Sequence, residues 1–189
     1  MLKKIEEYGK LVSITGLRNV SIGDIDQLLK TVNNEAKPCA VQLFDADCIA
    51  GSKHLFFTTL NAMRSMKQKR NISDSLAMET MLYASGQRQI RKALDTVGIK
   101  PSTSRVALLL IDSDEDTLLN AENRVSKIIA GVRDDEVLEI RDEEKTQTLK
   151  RLFNISDLEV KALSNGRTEK GEIISRLIIE RGALLVLEG

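Results

Sequence analysis

Three alternating carboxylates form the most suggestive chemical pattern in the sequence. Asp112, Asp114 and Asp116 occupy every second position of the stretch DSDED, as the first ligands of a calcium-binding loop do. Such a loop requires glycine at its sixth position and a bidentate glutamate at its twelfth, where this chain has Thr117 and Asn123. The pattern therefore favours the acidic first turn of a helix, whose dipole stabilises each carboxylate by about 0.3–1 kcal/mol. A metal-assisted hydrolase that uses the three carboxylates stays open as an alternative.

Other catalytic and cofactor motifs are missing from the sequence. His54 is the only histidine, and its place in a helical stretch favours a structural or surface role over catalysis. The patterns HExxH and GxSxG do not occur, and neither do the phosphate-binding patterns GxxxxGK and GxGxxG. We therefore predict a protein that is not an enzyme, with no catalytic residue, no cofactor and no bound metal.

Charge is distributed unevenly in a chain whose formal net charge is zero. Residues 53–105 contain ten Lys/Arg against three acids, whereas residues 112–144 contain twelve acids against four bases. The asymmetry predicts a surface with two poles, each of which is either a partner site or a solvated helix face. An arginine guanidinium can donate two parallel hydrogen bonds to phosphate oxygens, so the basic pole is a candidate for binding a phosphate backbone.

Hydrophobic periodicity predicts a mixture of strands and helices. Short aliphatic or β-branched runs predict strands at 11–15, 40–44, 105–111, 137–140 and 183–188. Apolar residues at helical spacing predict eight helices, at 22–32 after an N-cap at Ser21, 53–69, from Ser73 to about Ser85, between Gly86 and Gly98, 112–129, 148–153, 156–163 and 171–179.

The order of these elements predicts the fold class. Strands and helices are mixed, with several consecutive helices in the middle, which favours an α+β fold with one small central sheet of four to five strands packed against several helices. A length of 189 residues suits a single domain, residues 1–189, and 42% hydrophobic residues are enough to bury a core. Because only 3% of the residues are aromatic, a nucleic acid cannot be bound on a wide stacking platform.

Two helices have apolar stripes that decide which side chains face outward. Between Gly86 and Gly98 the predicted core positions are Ile90, Ala93, Leu94 and Val97, which places Arg88 and Arg91 on the opposite side. The helix GEIISRLII has an apolar stripe wider than one face, with Ile173, Ile174, Leu177 and Ile178. That helix is either fully buried or partly covered by another protein.

The sequence favours a cytoplasmic protein without a membrane partner. No stretch approaches the ~20 apolar residues of a membrane span, and the opening MLKKIEEYGK lacks the apolar region of a signal peptide. Cys39 and Cys48 form no CxxC pair, which suits a reducing compartment better than a disulfide framework.

The centre of the chain resembles a known family. Residues 41–65, VQLFDADCIAGSKHLFFTTLNAMRS, and residues 71–100, which include METMLYASGQRQI, are similar to the kinase-binding subunit of the KEOPS complex, in an archaeal-type form of the family that includes human TPRKB. The strand RVALLLI at 105–111 also fits this family, and the segments DLEVKAL and IIERGALLVLE resemble its C-terminal part more loosely.

The resemblance implies a subunit that performs no catalysis. In KEOPS a separate subunit installs the threonylcarbamoyl group on adenosine beside the anticodon, while this family binds and activates the atypical kinase PRPK. Archaeal members also resemble tRNA binders that capture the single-stranded CCA 3′ end. The implied partners are a PRPK-type kinase, the tRNA 3′ end and, indirectly, other KEOPS subunits. A pure interaction scaffold without RNA binding is the alternative.

The resemblance also suggests roles for particular residues. Phosphate contacts are expected from the exposed cations Arg64, Lys67, Lys69, Arg70, Arg88 and Arg91. Lys53 and His54, at the start of a helix, are expected to meet a splayed terminal nucleotide, since single-stranded RNA ends are read by shape, stacking and edge hydrogen bonds. The kinase is expected to dock on Ile173, Ile174, Leu177 and Ile178.

Overall fold

The computed structural model describes residues 1–164 and 168–185. These residues form two compact units. Unit 1 consists of Met1–Ala46 and Gly98–Val137, and unit 2 of Asp47–Val97 and the residues from Leu138 onward. The single domain expected from chain length stays a prediction.

The described residues contain five strands and eight α-helices. The strands are β1 (Leu2–Ile5), β2 (Lys10–Arg18), β3 (Ala40–Asp45), β4 (Val106–Asp112) and β5 (Val132–Arg133). The helices are α1 (Ile25–Ala36), α2 (Ser52–Lys67), α3 (Leu76–Ser85), α4 (Ile90–Val97), α5 (Glu115–Ile129), α6 (Glu143–Leu152), α7 (Asp157–Leu163) and α8 (Lys170–Leu184). Short 3₁₀ helices lie at Glu6–Tyr8, Ala46–Cys48 and Asp135–Leu138.

Unit 1 contains the sheet. Its strands are antiparallel in the order β1-β2-β4-β3, and the short β5 pairs with the end of β2, where Leu17 lies opposite Arg133. The central strand β4 is aliphatic and buried from Val106 to Ile111, as expected for a strand without a free edge. One sheet of five strands with helices packed on it confirms the predicted α+β class.

Helices α1 and α5 pack on the sheet of unit 1. Leu108 and Leu110 of β4 form one apolar cluster with Val32 of α1 and with Leu118 and Val125 of α5. The Arg124 guanidinium of α5 donates two hydrogen bonds, of 3.0 and 2.9 Å, to the Glu35 carbonyl. That carbonyl belongs to the last turn of α1, which has no intrahelical donor for it.

All regular secondary structure in the described residues of unit 2 is helical. Helix α3 packs against α2 and α4, and α8 packs against α2, α3, α6 and α7. Gly182 of α8 allows a close approach to α3, because a Cβ atom there would lie 2.6 Å from the Tyr83 carbonyl oxygen. The core of unit 2 is built from aliphatic side chains such as Leu55, Met81, Leu82 and Ile174.

The observed N-cap residues show that two helices begin later in the chain than predicted. Helix α1 begins after Asp24, whose carboxylate accepts a hydrogen bond from the Gln27 amide at 2.9 Å, and not after Ser21. Helix α3 begins after Ser75, whose hydroxyl accepts from the Met78 amide at 3.4 Å, and not after Ser73. In each case a second capping residue lies two or three positions further on, and spacing alone does not distinguish the two.

Strand predictions were wrong at two places and incomplete at two others. Residues 137–140 form no strand, because Asp135–Leu138 is a 3₁₀ helix. The predicted last strand, 183–188, begins inside α8, which continues to Leu184, and residues 186–188 lie outside the described part. The short strands β1 and β5 were not predicted, since neither has the alternation that identifies a strand in a sequence.

Candidate nucleic-acid interface and docking surface

All eight predicted nucleic-acid-binding residues lie in unit 2, and they do not form one cluster. Arg64, Lys67, Lys69 and Arg70 surround the end of α2 and are called the α2 basic cluster below. Arg88 and Arg91 flank the start of α4. Lys53 lies in the first turn of α2, about 21 Å from Lys67 at 1.5 Å per residue. Helix α3 packs against both α2 and α4.

The α2 basic cluster has an unusual backbone. Helix α2 ends in a Schellman motif, in which the Lys69 amide donates to Met66 O at 3.1 Å and the Arg70 amide to Ser65 O at 3.0 Å. The motif places Lys69 in the left-handed region at φ +56°. A lysine there costs roughly 1 kcal/mol more than glycine.

Two other helices of unit 2 end in the same motif with residues that tolerate it. Gly86 follows α3 at φ +63°, and Asn154 follows α6 at φ +51°. In both, the hydrogen bonds repeat those at Lys69: Gln87 N–H to Leu82 O at 3.1 Å after α3, and Ile155 N–H to Lys150 O at 2.8 Å after α6. Glycine and asparagine are the residues usually found at this position. The lysine at position 69 is therefore not explained by the needs of the turn.

Most side chains of the basic set are available to a ligand. The side chains of Lys53, Arg64, Lys69, Arg70 and Arg91 are exposed and form no hydrogen bond or ion pair with the residues that the structure describes. Asp74, in the loop after the cluster, is bonded to the Asn71 side-chain amide at 3.3 Å. Unpaired cations on one helical surface can bind a polyanion without first breaking internal ion pairs.

Arg88 differs from Arg91 because its side chain is already engaged. Its Nη1 donates to the Leu185 carbonyl oxygen at 3.1 Å, at the C-terminal end of α8. A cation there complements the partial negative charge of the last carbonyls of the helix. Part of the charge predicted for nucleic-acid binding therefore has a structural role at Arg88.

His54 cannot contact a nucleotide, which corrects the predicted role. Its side chain is fully buried, its Nδ1 accepts from the Ala50 amide at 3.2 Å, and its ring packs edge-on against Phe153 with centroids 6.0 Å apart. Burial, with a smaller contribution from the Lys145 charge, lowers the pKa of His54 to about 4. His54 is therefore a neutral core histidine that supports the start of α2.

An internal carboxylate caps the start of α2. Glu139 Oε1 accepts from the Ser52 amide at 3.1 Å and from the Ser52 hydroxyl at 2.9 Å. Gly51 precedes the helix at φ +98°, and a Cβ atom there would lie 2.8 Å from Glu139 Oε2. The glycine of the segment IAGSKHL is thus required both for the backbone angle and for the approach of this carboxylate.

An open cleft of about 630 Å³ lies beside this capped helix start. Lys53 and Arg141 line it together with the carboxylates Glu139, Glu169 and Glu172. Its mixed charge is less suited to a phosphate chain than the α2 basic cluster is.

The four residues predicted to dock a kinase are buried, which corrects that prediction. Ile173, Ile174, Leu177 and Ile178 have at most 9% of their surface exposed. Helix α8 packs against α2, α3, α6 and α7, so its wide apolar stripe is covered within unit 2. A helix surrounded on several sides is hydrophobic over most of its circumference, and the sequence could not distinguish this from an interface.

Exposed apolar side chains occur instead where α7 begins and α8 ends. Leu158 is 78% and Leu184 is 50% exposed. The ion pair between Arg181 Nη2 and Glu159 Oε1, at 2.5 Å, joins these two helix ends, and a pocket of about 290 Å³ lined by Leu184, Leu185 and Phe153 opens beside α8. We call Leu158, Leu184 and this pocket the α7/α8 apolar end.

Sequence reasoning missed the α7/α8 apolar end, although one signal for it exists. Leu158 lies two positions from Val160, which is buried, and residues two apart cannot share one face of a helix. A similar difference appears in α4, where Ala93 and Val97 are buried but Ile90 and Leu94, also predicted to face the core, are about 40% exposed. The core face of this short helix is narrower than its apolar stripe.

The acidic stretch forms the start of α5. Asp114 is the N-cap and accepts from the Thr117 amide at 2.8 Å and the Thr117 hydroxyl at 2.6 Å, and these bonds lower its pKa. Asp112 Oδ1 accepts from the amides of Ser113 and Asp114 at 2.7 and 3.0 Å. Among the described residues, no group of three or more His, Cys, Asp or Glu is placed to hold a metal ion. The same residues include no helix that is long and apolar enough to cross a membrane.

The chain is similar to proteins that have been named for a regulatory role. The sequence model of the family described as "Kinase binding protein CGI-121" matches residues 18–185. The "Regulatory protein Cgi121" of Methanocaldococcus jannaschii is 31% identical over 159 residues, which cover 83% of this chain and 92% of that protein.

Proposed function

Because the chain belongs to the CGI-121 family of kinase-binding proteins, we propose that it is a non-catalytic subunit of a KEOPS-type tRNA-modification complex. In this role it binds and activates a PRPK-type kinase in the cytoplasm and helps to recruit tRNA, by its CCA 3′ end, for threonylcarbamoyladenosine formation. The other subunits of the complex are contacted indirectly. Support comes from the family match, from the absence of a catalytic motif in the sequence and from the unpaired cations of unit 2.

The unpaired cations are the observation that carries the tRNA part of the proposal. Arg64, Lys69 and Arg70 of the α2 basic cluster are exposed without an ion pair among the described residues, and the same holds for Arg91 and Lys53 elsewhere in unit 2. Arginine forks bind phosphate oxygens in pairs and stack on unpaired bases, which suits a single-stranded RNA end. Lys53 is the remaining candidate for the terminal nucleotide, since His54 is buried.

Binding to intact and trimmed tRNA tests this part directly. We expect the purified protein to bind intact tRNA, to bind the same tRNA without its CCA end at least several-fold more weakly, and to lose affinity for both as salt is raised. Equal binding of the two tRNAs would leave only non-specific charge attraction. Absence of binding to either, at low salt, would favour the scaffold without RNA binding.

Kinase docking requires an exposed apolar surface, and α8 offers one only at its end. The α7/α8 apolar end has two exposed leucines, and one of them, Leu184, lines a pocket that an apolar side chain of the kinase can enter. Interface energy is concentrated in a few such apolar anchors surrounded by polar residues. We place the kinase contact there and no longer on Ile173, Ile174, Leu177 and Ile178.

Charge insertion at exposed leucines tests the docking site. Leu158→Glu and Leu184→Glu are expected to weaken kinase binding at least tenfold without loss of folding, because both side chains already contact water. Leu119→Glu is the matched control, since Leu119 is 40% exposed on α5 of unit 1. Kinase binding that survives both changes in unit 2, or is lost equally in the control, would place the interface elsewhere.

A further inference from the structure

Glu79 is a buried carboxylate that holds a loop. It lies in α3, has no exposed surface, and its Oε2 accepts hydrogen bonds from the backbone amides of Ile72 and Ser73 at 3.0 and 2.8 Å. Its Oε1 makes no hydrogen bond with the residues that the structure describes. A carboxylate is costly to bury, so the two charge-assisted hydrogen bonds that it makes to the loop must offset that cost.

Glu79 holds the loop that connects α2 to α3. This loop contains Lys69 and Arg70 of the α2 basic cluster. At its start the Schellman motif fixes Lys69 and Arg70. At its end Glu79 fixes Ile72 and Ser73. Between them the Asn71 side chain donates to Ser73 O at 3.2 Å. The backbone of this short loop is therefore held at both ends, and the side chains of Lys69 and Arg70 leave it in fixed directions.

A purely structural loop would not need this arrangement. The Schellman motifs after α3 and α6 use Gly86 and Asn154 at the left-handed position, whereas this loop keeps a lysine there. A negative charge beside the cluster also opposes phosphate binding by simple electrostatics. The lysine at the left-handed position and the nearby negative charge are both expected if phosphate binding depends more on the position of the cations than on their number.

We propose that Glu79 is a positioning residue, which fixes Lys69 and Arg70 of the α2 basic cluster in the geometry that binds an RNA phosphate backbone. The inference rests on the tRNA binding proposed above and adds to it a residue that touches no RNA. A loop already held in its bound conformation loses less freedom on binding, so more of the contact energy appears as affinity.

Two substitutions at one position separate geometry from charge. Glu79→Leu removes both hydrogen bonds and Glu79→Gln keeps an oxygen that accepts them, while each removes the same negative charge. We expect roughly tenfold weaker tRNA binding for Glu79→Leu and binding within about threefold of the wild type for Glu79→Gln. Amide hydrogen exchange at Ile72 and Ser73 should accelerate in Glu79→Leu and stay slow in Glu79→Gln.

The direction of the change for Glu79→Leu decides the proposal. Tighter tRNA binding would show that the charge of Glu79 matters more than the position of the loop, and unchanged binding would show that neither matters. Either result would overturn the positioning role. Failure of the wild-type protein to bind tRNA would overturn the tRNA part of the proposed function, and the inference with it. Wild-type binding together with unaltered Glu79→Leu binding would overturn the inference alone.

A second variant keeps the test valid should Glu79→Leu not fold. Lys69→Gly retains the Schellman motif with the residue that it favours, so we expect it to fold at least as stably as the wild type. It should bind tRNA several-fold more weakly, with a salt dependence shallower by about 0.7, as for one lost phosphate contact on a single strand. Unchanged affinity and salt dependence would show that Lys69 is not placed for phosphate binding and would overturn the proposal.

Discussion

Arginines have different roles in unit 1 and in the segment from α2 to α4 of unit 2. In unit 1 Arg18, Arg124 and Arg133 form ion pairs with Asp134, Glu35 and Glu122. In unit 2 the exposed Arg64, Arg70 and Arg91 have no such partner among the described residues. The comparison separates cations that hold the fold together from cations left available to a ligand, which sequence charge counts alone cannot do.

Unit 1 shows what a cation with a structural role looks like. The Glu122 carboxylate is buried against β2 and accepts from the hydroxyls of Ser13 and Thr15 at 2.5 and 2.9 Å, while Arg133 donates to it at 2.9 Å. Every acceptor atom of the carboxylate is thus in use. The α2 basic cluster offers its arginines no comparable acceptor.

The largest expected effect follows from inserting a charge into α8. Ile174 is fully buried, so Ile174→Glu should cost about 4 kcal/mol or more and unfold the protein near room temperature. Leu184→Glu, on the exposed end of the same helix, should change the free energy of unfolding by less than about 1 kcal/mol. Thermal unfolding measured by circular dichroism compares the two. A folded Ile174→Glu that lacks kinase binding would restore the α8 stripe as an interface.

The buried histidine predicts how stability depends on pH. The pKa of His54 is lowered from 6.5 to about 4 in the folded protein, so the unfolded chain takes up a proton first on acidification. The stability linked to His54 is fully present above about pH 6.5 and is lost as the pH falls towards 4, by about 3 kcal/mol.

Urea unfolding at several pH values, for the wild type and for His54→Asn, measures this loss. The asparagine side chain keeps an acceptor near the position of Nδ1 and does not titrate. Equal acid sensitivity of the two proteins would mean that His54 is solvated and charged, which would return it to the candidate RNA contacts.

A smaller loss is expected in the carboxylate network of unit 1. Glu122→Ala leaves the hydroxyls of Ser13 and Thr15 without an acceptor and should lower the free energy of unfolding by about 2 kcal/mol. It should leave tRNA affinity unchanged, because Glu122 and Arg133 have a structural role. Equilibrium unfolding and tRNA binding measured on the same preparation check both statements, and a change in tRNA affinity would contradict the assigned division of roles.

The smallest expected effect compares two arginines of one helix region. Arg88→Ala removes the hydrogen bond to Leu185 O and should cost about 1 kcal/mol. Arg91→Ala removes no internal contact and should stay within about 0.5 kcal/mol of the wild type. Equal stabilities of the two variants, measured by urea unfolding, would show that the Arg88 bond contributes nothing.

Charge and apolar pattern had different predictive value for this chain. The cations of the basic set are exposed at Arg64, Lys69 and Arg91, because a charge without a partner must remain solvated. The aliphatic stripe of α8 was ambiguous, since apolar residues are required equally by a core and by an interface. Leu158, which carries the docking proposal, stood out only through its spacing from Val160.

Elements that follow from the spacing of apolar residues along the chain were predictable. Contacts between residues that lie far apart in the chain were not. Strand β4 and helices α2, α5 and α8 follow from their apolar runs. The cap on α2 was beyond prediction because its acceptor, Glu139, lies 87 residues away in the chain. The hydrogen bonds between Glu79 and the loop after α2 were equally unpredictable, because nothing in the segment METMLYASGQRQI indicates that its glutamate is buried. The family resemblance seen in residues 41–111 is confirmed by the match over residues 18–185.

Two triple charge reversals test the central claim most directly. Arg64→Glu/Arg70→Glu/Arg91→Glu replaces three unpaired arginines of the segment from α2 to α4, and Lys30→Glu/Lys37→Glu/Lys127→Glu makes the same change in net charge at exposed positions of unit 1. Affinity for intact tRNA is measured for both at one salt concentration, together with thermal stability. The account predicts a loss of about a hundredfold for the first protein and of a few-fold for the second, with both folded. Equal losses would contradict it, because tRNA would then respond to total charge and not to the surface formed by α2–α4.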